Sequence, residues 1–172
     1  MIPGCRRRHR HRSTADELAG EGDRATRELI DGQLEELHDA LRGVRLLGHC
    51  PPAALDLIAS FGERLSAIVV AAYLNGFCPS RFVDARDFVT TDEQFTRANV
   101  IFAKTNPAAQ EYFSSLWRRA GHTLAVVTGF IGRTEDGRTT TSAGTDRITR
   151  PQSSGRRSTP RPSKSGRMST AS

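Results

Sequence analysis

The chain has 172 residues and a net charge of +6, a balance that on its own is compatible with a nucleic-acid-binding protein. The charge distribution argues against that class, because residues 1–12 carry five arginines and residues 142–172 carry six arginines, one lysine and one aspartate. The ends thus contribute +5 and +6 and leave −5 on residues 13–141, so we expect no specific nucleic-acid partner.

Helical patterns fill the first half of the chain. From Asp23 to Leu47 apolar residues recur at alternating spacings of four and three, which predicts a helix with one core-facing stripe. The members of this stripe are Ile30, Leu34, Leu37, Leu41 and Val44. After a Pro-Pro break, residues 52–60 predict a short helix, and residues 61–76 predict a second helix that stops at Asn75-Gly76.

The second half alternates between strand and helix patterns. Residues 80–89 (SRFVDARDFV) predict a buried strand, and residues 90–102 predict a polar loop with a short strand at its end. Residues 106–121 predict a helix, with Asn106 as its cap, Pro107 in its first turn and Gly121 at its end. Residues 122–132 (HTLAVVTGFIG) predict another strand. This order is typical of an α/β protein with a mostly parallel sheet.

Polar residues near these elements are candidates for a binding site. In parallel sheets, sites form beyond the carboxyl ends of the strands, which points to residues 128–132, with further hydroxyls at 139–141. Glu63, at the predicted junction of two helices, either interacts with a helix N-terminus or holds an ammonium group in a cleft. Asp84 and Arg86 are expected on one side of their strand as a surface pair, with Asp87 on the other.

Cysteine and histidine usage indicates neither disulfides nor a metal site. Cys5, Cys50 and Cys78 are an odd number without metal-like spacing, so free thiols in a cytoplasmic protein are expected. The five histidines show no ligand spacing either. The longest strongly apolar run, residues 67–74, is too short to span a membrane, so no membrane partner is expected.

Three segments in register resemble the aspartokinases. They are DLIASFGERLSA (56–67), RFVDARDFVTTDEQF (81–95) and VVTGFIGRTEDGRTTT (127–141, with Val126). A fourth, VIFAKTNPAAQEYF (100–113), is most similar to the aspartokinase half of bifunctional aspartokinase/homoserine dehydrogenases. The resemblance covers roughly residues 24–141.

The resemblance implies the amino-acid-kinase fold and transfer of the γ-phosphoryl group of ATP to the β-carboxylate of L-aspartate, with Mg²⁺. That reaction opens the biosynthesis of lysine, threonine and methionine. ATP is implied as a co-substrate, with no tightly bound cofactor, and the intact enzyme as a homo-oligomer. Glu63 matches the glutamate that holds the ammonium group of the substrate. Phe130 and Thr141 match residues that line the aspartate pocket.

The sequence also departs from the family pattern. The lysine-bearing KFGGTS strand has no counterpart, and SAGTDRITR (142–150) stands where the family has LGRGGSDYTA. No catalytic residue is therefore assigned, and the chain as written is expected to be inactive. Thr96 stands where glycine is usual. The resulting domain prediction is a basic segment 1–22, a partial catalytic domain 23–141, and a disordered tail 142–172.

A broken reading frame explains the tail. Synonymous codons can be chosen for residue 142 onward so that the same string, read two nucleotides later, encodes GGNGSDYTA and then TIIGAALDAEAVEIWTDVDGV. The resemblance implies such a sequence after the threonines, so we expect a single nucleotide to be missing after the Thr141 codon. The arginine-rich start gave no comparable continuation.

Two alternatives stay open from the sequence. One is a non-catalytic binding or regulatory protein with basic tails that reuses part of a kinase fold. The other is a different enzyme of the same fold, such as a glutamate or acetylglutamate kinase. SFGERLSA and GRTTT argue against the second alternative.

Overall fold

The computed structural model describes residues 24–142, so the predicted segment 1–22 and the tail beyond Ser142 lie outside the described residues. Helix α1 (Arg24–Leu47) agrees with the first predicted helix. Its apolar stripe is buried only in the first half, at Ile30 and Leu34, whereas Leu41 is half-exposed. Helix α1 therefore anchors the domain mainly through its N-terminal half.

Helix α2 (Pro52–Asn75) is one continuous helix, so the prediction of two helices with a junction at Gly62 was wrong. An exposed glycine inside a helix costs only about 1 kcal/mol relative to alanine. The apolar residues on both sides of Gly62, such as Phe61 and Leu65, are buried on one face and outweigh that cost. The predicted start after the Pro-Pro pair and the stop at Gly76 agree with the structure.

Among the described residues, α2 is the one helix long and apolar enough to cross a membrane by length and composition. Its packing fits the core helix of a folded domain instead, because it contacts both α1 and strands of the domain. It also buries two ionisable residues, Asp56 and Arg64, at 1% and 4% exposure. Both have polar partners within the domain.

Strands β1 (Ser80–Val83) and β2 (Leu124–Val127) pair in parallel, with Ser80 opposite Leu124 and Val83 opposite Val127. The predicted ten-residue strand 80–89 is thus only four residues long, since a 3₁₀ turn (Ala85–Asp87) follows it. Two side-chain bonds divert the backbone at this point. The Asp84 carboxylate accepts from the Arg86 N–H at 3.0 Å, and the Thr128 hydroxyl accepts from the Ala85 N–H at 2.8 Å.

Helix α3 (Phe102–Ala120) begins four residues before the predicted cap at Asn106, so Pro107 lies inside the helix. Proline lacks the N–H that would bond the carbonyl of Ala103. Ala103 is exposed, so water can satisfy that carbonyl at little cost. The predicted end at Gly121 is confirmed, and its φ of 63° is the left-handed geometry that glycine adopts without strain.

The predicted strand 122–132 is interrupted after Val127. Its last part forms β3 (Ile131–Arg133), which pairs antiparallel with β4 (Thr139–Thr141) in a separate two-stranded sheet. The hairpin joins the chain that follows the 3₁₀ turn, because Arg133 N–H donates to Val89 O at 3.0 Å and Thr91 N–H donates to Arg133 O at 2.8 Å. Residues 90–102 otherwise form isolated bridges at Thr90, Thr91 and Val100 instead of a short strand.

Two apolar clusters cover the opposite faces of the parallel pair. The first joins Ile30 and Leu34 of α1 to Leu65 of α2 and contacts Phe82. The second joins the next strand residue, Val83, to Leu116 of α3. Adjacent residues of β1 thus point into different clusters, as the alternation of a strand requires. The result is a helix–sheet–helix arrangement, the α/β class that the sequence predicts. Cys50 and Cys78 are exposed free thiols, as expected.

Candidate functional site

Glu63 projects from the exposed side of α2 towards the turn that follows β2. Its Oε2 atom lies 3.7 Å from the position that a Cβ on Gly129 would occupy. Helix α2 runs back alongside β1, because only a short connection separates Asn75 from Ser80, and the Ser80 N–H donates to the Asn75 side chain at 3.1 Å. Glu63, twelve residues before Asn75, therefore reaches the carboxyl ends of the strands.

Phe130 occupies the turn between β2 and β3. Its φ of 58° lies in the left-handed region, which is uncommon for a bulky residue and costs of order 1 kcal/mol or more. The side chain remains 42% exposed, so burial does not explain the conformation. The turn is held by its backbone, since the Phe130 carbonyl accepts from the Ser142 N–H at 2.9 Å. Because strained backbone conformations cluster at functional sites, this turn is a candidate for a ligand contact.

Thr141 ends β4 and is fixed by a buried carboxylate of α2. Asp56 Oδ2 accepts from the Thr141 N–H at 3.0 Å, and Asp56 Oδ1 accepts from the Thr141 hydroxyl at 2.6 Å. Thr141 is itself only partly buried. The pairing of Ile131 with Thr141 places Thr141 beside the Phe130 turn. Thr141 thus contacts α2 through Asp56, and Glu63 of α2 approaches Gly129, the residue before Phe130.

The backbone conformation at Thr96 is one that favours glycine. Its φ is 70°, a conformation that glycine adopts freely and that β-branched residues rarely adopt. Its N–H donates to Asp56 Oδ2 at 2.8 Å, which ties the loop 92–99 to α2. The carboxylate of Asp56 therefore holds both the loop and the end of β4.

The other threonines predicted around the site form hydrogen bonds within the domain. Thr140 is fully buried, and its hydroxyl shares a 2.7 Å hydrogen bond with the Thr91 hydroxyl. The Thr139 hydroxyl accepts from Arg86 at 3.0 Å, and Thr128 accepts from the Ala85 N–H at 2.8 Å. Of the hydroxyl residues predicted around the site, Thr141 is the one whose partial exposure and position beside Phe130 suit a ligand contact.

Arg64 connects α2 to both α1 and the 3₁₀ turn. Its Nη2 donates to Glu36 Oε2 at 3.1 Å, and its Nε lies 3.4 Å from Asp84 Oδ2. The guanidinium also lies 4.9 Å from the centre of the Phe61 ring. Burial lowers the pKa of Arg64, and the charge of Arg86 adds to this effect, while Glu36 and Asp84 oppose it.

Asp84 and Arg86 form a partly buried pair, not the surface pair that the sequence predicts. Arg86 Nη2 donates to Asp84 Oδ2 at 2.7 Å, with 14% of the Asp84 side chain exposed. Burial raises the pKa of Asp84, but the hydrogen bonds and positive charge of Arg86, and the charge of Arg64, leave it below its ordinary value. The prediction of opposite sides for Asp84 and Asp87 depended on strand alternation, which the 3₁₀ turn removes.

Because the folded-state pKa of Asp84 is lowered, its contribution to stability is present above the unfolded pKa and is lost as the pH falls through the folded one. We expect Asp84→Asn to reduce the free energy of unfolding by about 1.5–3 kcal/mol at pH 7. At pH 2–3 the difference from wild type is expected to shrink. Urea unfolding at both pH values measures it, with exposed Asp39→Asn as the matched control. An equal difference at both pH values would contradict the electrostatic account.

A groove of about 430 Å³ lies away from these residues, between β1, the 3₁₀ turn and α3. Its polar lining consists of Arg81, Asp87, Glu111, Tyr112, Ser115 and Arg119. Burial raises the pKa of Tyr112, and the charge of Asp87 adds to this effect. None of the three predicted site residues lines this groove. Within residues 24–142, no group of three or more His, Cys, Asp or Glu side chains is arranged to hold a metal ion.

Two buried residues of the site region, Asp56 and Arg64, were missed by the sequence interpretation. Both lie on the buried face of α2, Asp56 one turn before Ser60 and Arg64 one turn after it. The sequence did contain a signal for them, because helical periodicity assigns both positions to the core. A charged residue at such a position is expected to be buried together with a polar or charged partner.

No family model matches the sequence. Aspartokinase 2, chloroplastic, of Arabidopsis thaliana is 34% identical over 126 residues, which is 72% of this chain and 22% of the relative. Aspartokinase 1 of Bacillus subtilis is 37% identical over 92 residues, which is 52% of this chain and 21% of the relative. The fold matches Escherichia coli aspartokinase III in complex with aspartate and ADP, with a TM-score of 0.68, 26% identity, and coverage of 82% of this chain and 32% of that one. The chain is aspartokinase-like.

A second structure of the E. coli enzyme, with lysine and aspartate, gives a TM-score of 0.69 at 25% identity, covering 83% of this chain and 32% of that one. The resemblance and the partial amino-acid-kinase fold predicted from the sequence are thereby confirmed. The aspartokinase-like chain spans about a fifth of the length of the curated relatives and about a third of the E. coli structures. Its relatives are kinases by name.

Proposed function

We propose that residues 23–141 form the aspartate-binding part of an aspartate kinase, which transfers the γ-phosphoryl group of ATP to the β-carboxylate of L-aspartate. The observation that carries the proposal is the approach of Glu63 to within 3.7 Å of the Cβ position at Gly129, directly before Phe130. The E. coli relative contains aspartate and ADP in its structure, which supports the same substrate pair.

Each proposed site residue has a chemical role that suits an amino acid. The exposed Glu63 carboxylate would hold the ammonium group, since charge-assisted contacts of this kind are among the stronger hydrogen bonds. Phe130 would form an apolar wall against the carbon chain of the substrate. Thr141 would contribute its hydroxyl oxygen. No catalytic residue is assigned among these three, because none supplies the positive charge that phosphoryl transfer requires.

The Mg²⁺ implied by the kinase reaction finds no donor set in the described region, where no three metal-binding side chains converge. We further propose that the intact protein is a cytoplasmic homo-oligomer without specific nucleic-acid or membrane partners. The plant relatives are named chloroplastic, so the location differs among relatives.

Ligand binding to the purified chain tests the proposal. We expect titration calorimetry or NMR to detect L-aspartate binding, and Glu63→Gln to weaken it by about ten- to a hundredfold, because the amide keeps the size but loses the charge that attracts the ammonium group. Succinate, which has both carboxylates but no ammonium group, should bind much more weakly than aspartate to wild type. It should lose little further affinity in the variant.

The matched control is Glu111→Gln, which neutralises an exposed helical glutamate lining the separate groove on α3. It should leave aspartate binding unchanged. Equal weakening by both substitutions would indicate a general effect of net charge. Unchanged aspartate binding in Glu63→Gln would show that Glu63 is a surface residue of the helix without a role in binding. The proposal would then lose its central support.

A further inference from the structure

The part of α2 that carries Glu63 is held by buried charged residues on both sides of it in the sequence. Asp56 and Arg64 are 1% and 4% exposed. They lie eight positions apart, which is about 12 Å along the helix axis. Oδ1 of Asp56 accepts from the Thr141 hydroxyl at 2.6 Å, and Nε of Arg64 lies 3.4 Å from Oδ2 of Asp84. Two contacts outside the helix thus fix this part of α2.

Polar contacts continue from Asp84 to the hairpin and return to α2. Arg86 donates to Asp84 from Nε at 3.0 Å and from Nη2 at 2.7 Å. Its Nη1 atom donates to the Thr139 hydroxyl at 3.0 Å. Thr139 begins β4, and Asp56 binds the last residue of the same strand. The contacts therefore form a closed ring through α2, the 3₁₀ turn and β4.

Stability alone does not account for an arginine at position 64. Within residues 24–142, its Nε and Nη1 atoms have no hydrogen-bond partner, and Nη2 donates to Glu36 at 3.1 Å. Burying an incompletely bonded guanidinium is costly, and apolar residues of similar volume often stabilise a core as well as a buried ion pair does. An arginine here is better explained by the geometry it fixes, because ion pairs are directional in a way that apolar burial is not.

Glu63 has no anchor of its own. Its side chain is exposed, and among the described residues it forms no hydrogen bond or ion pair. The distance of 3.7 Å between its Oε2 atom and the Cβ position at Gly129 therefore depends on where α2 lies and how it is rotated. Successive side chains of a helix are about 100° apart around its axis, so a fixed direction for Arg64 fixes the direction of Glu63.

We propose that Arg64 is a positioning residue, which holds α2 through Asp84 in the rotation that brings the Glu63 carboxylate to the turn at Gly129. The proposal rests on the proposed role of Glu63 in binding an ammonium group and adds a residue that acts through it. Arg64 is buried and engaged with Asp84 and Glu36, so it would not contact the ligand itself.

Arg64→Met tests the proposal, because methionine keeps an unbranched side chain in the core but forms no ion pair. Asp84 retains its bonds to Arg86, so no buried carboxylate is left without a partner. We expect the affinity for L-aspartate to fall about tenfold. In the Glu63→Gln background the same substitution should change the affinity little, because no carboxylate remains to be positioned.

A double-mutant cycle on residues 63 and 64 measures their coupling. Losses of equal size in both backgrounds would show that Arg64 acts independently of Glu63, which would overturn the proposal. The matched control is Arg42→Met, which removes an exposed arginine of α1 and changes the net charge equally. It should leave aspartate affinity unchanged. A loss as large as that of Arg64→Met would attribute the effect to net charge and also overturn the proposal.

Arg64→Lys is the second variant. It keeps a positive charge beside Asp84 and should recover most of the aspartate affinity that Arg64→Met loses. An affinity no better than that of Arg64→Met would contradict positioning through the ion pair.

A measurement without ligand separates this proposal from the proposed function. In the free wild-type chain, the Gly129 amide resonance should shift as Glu63 is protonated at low pH, because the carboxylate lies beside Gly129. Glu63→Gln should abolish that shift, and Arg64→Met should reduce it severalfold while other resonances of the domain stay in place. If aspartate does not bind but Arg64→Met reduces the shift, the proposed function fails and the positioning role stands. A full shift in Arg64→Met overturns the positioning role.

Discussion

Restoring one nucleotide after the Thr141 codon, together with the upstream lysine-bearing strand, is expected to raise aspartyl-phosphate formation by several orders of magnitude over the chain as written. Phosphoryl transfer depends on positive groups placed around the phosphate, and removing one such group commonly costs a hundredfold or more. The chain as written has no match for the lysine of KFGGTS or for the arginine of LGRGGSDYTA. We therefore expect its turnover to stay at background.

Three versions of the chain separate the contributions. They are the chain as written, the frame-restored chain, and the frame-restored chain extended upstream by the genomic sequence. Only the third should reach a turnover in the usual enzyme range of about 1 per second or more, measured by hydroxylamine trapping of the acyl phosphate. Glu63→Gln in that version should raise the aspartate KM far more than the ATP KM, because only aspartate has the ammonium group.

Two results would contradict this account. If the genomic DNA at codon 142 lacks the overlapping reading frame, a missing nucleotide cannot explain the tail. This test requires no protein. Turnover in the enzyme range by the chain as written would show that the missing positive charges are supplied by other residues.

Periodicity predicted most of the secondary structure where one face of an element is buried. The stripe of α1 and the apolar sequence of β2 are local patterns, and both elements lie within the predicted ranges, although β2 fills only part of its range. The end of α3 was also predictable, because Gly121 adopts a positive φ that few other residues tolerate.

The errors arose where tertiary contacts override local preference. The glycine at position 62 predicted a helix break, but burial on both sides of it keeps α2 continuous. The predicted strand 80–89 ends early because the Thr128 hydroxyl, 43 residues away from Ala85 in sequence, accepts the N–H of Ala85. Pro107 predicted a helix start, but α3 begins earlier, at Phe102. The helix tolerates the proline because the carbonyl of the exposed Ala103, which loses its hydrogen bond, can bind water.

The residues of the candidate site were proposed from the sequence, whereas their geometry could not be. Glu63, Phe130 and Thr141 came from the family resemblance, and the structure brings them to one side of α2. The burial of Asp56 had a periodic signal, but its partners Thr96 and Thr141 could not be predicted, since they lie 40 and 85 residues away. Long-range hydrogen bonds of this kind leave no periodic signal in a single sequence.

Gly132→Ala is expected to destabilise the described domain. A Cβ at this position would lie 2.9 Å from side-chain carbons of Thr91 and Val89 and 3.1 Å from the Val89 carbonyl oxygen. These neighbours are not free to retreat. The Val89 carbonyl accepts from the Arg133 N–H at 3.0 Å, and the Thr91 hydroxyl is bonded to Thr140 at 2.7 Å. Overpacking of this kind costs about 1–3 kcal/mol.

Gly62→Ala is the matched control, with the opposite expected sign. No atom lies within 4 Å of a Cβ at that position, and the residue is exposed within a continuous helix. Alanine there should raise the free energy of unfolding by about 0.5–1 kcal/mol. Thermal and urea unfolding of both variants measure the two shifts. Stabilisation by Gly132→Ala would show that the hairpin is not held against the 89–91 segment. Destabilisation by Gly62→Ala would indicate that α2 bends at that residue.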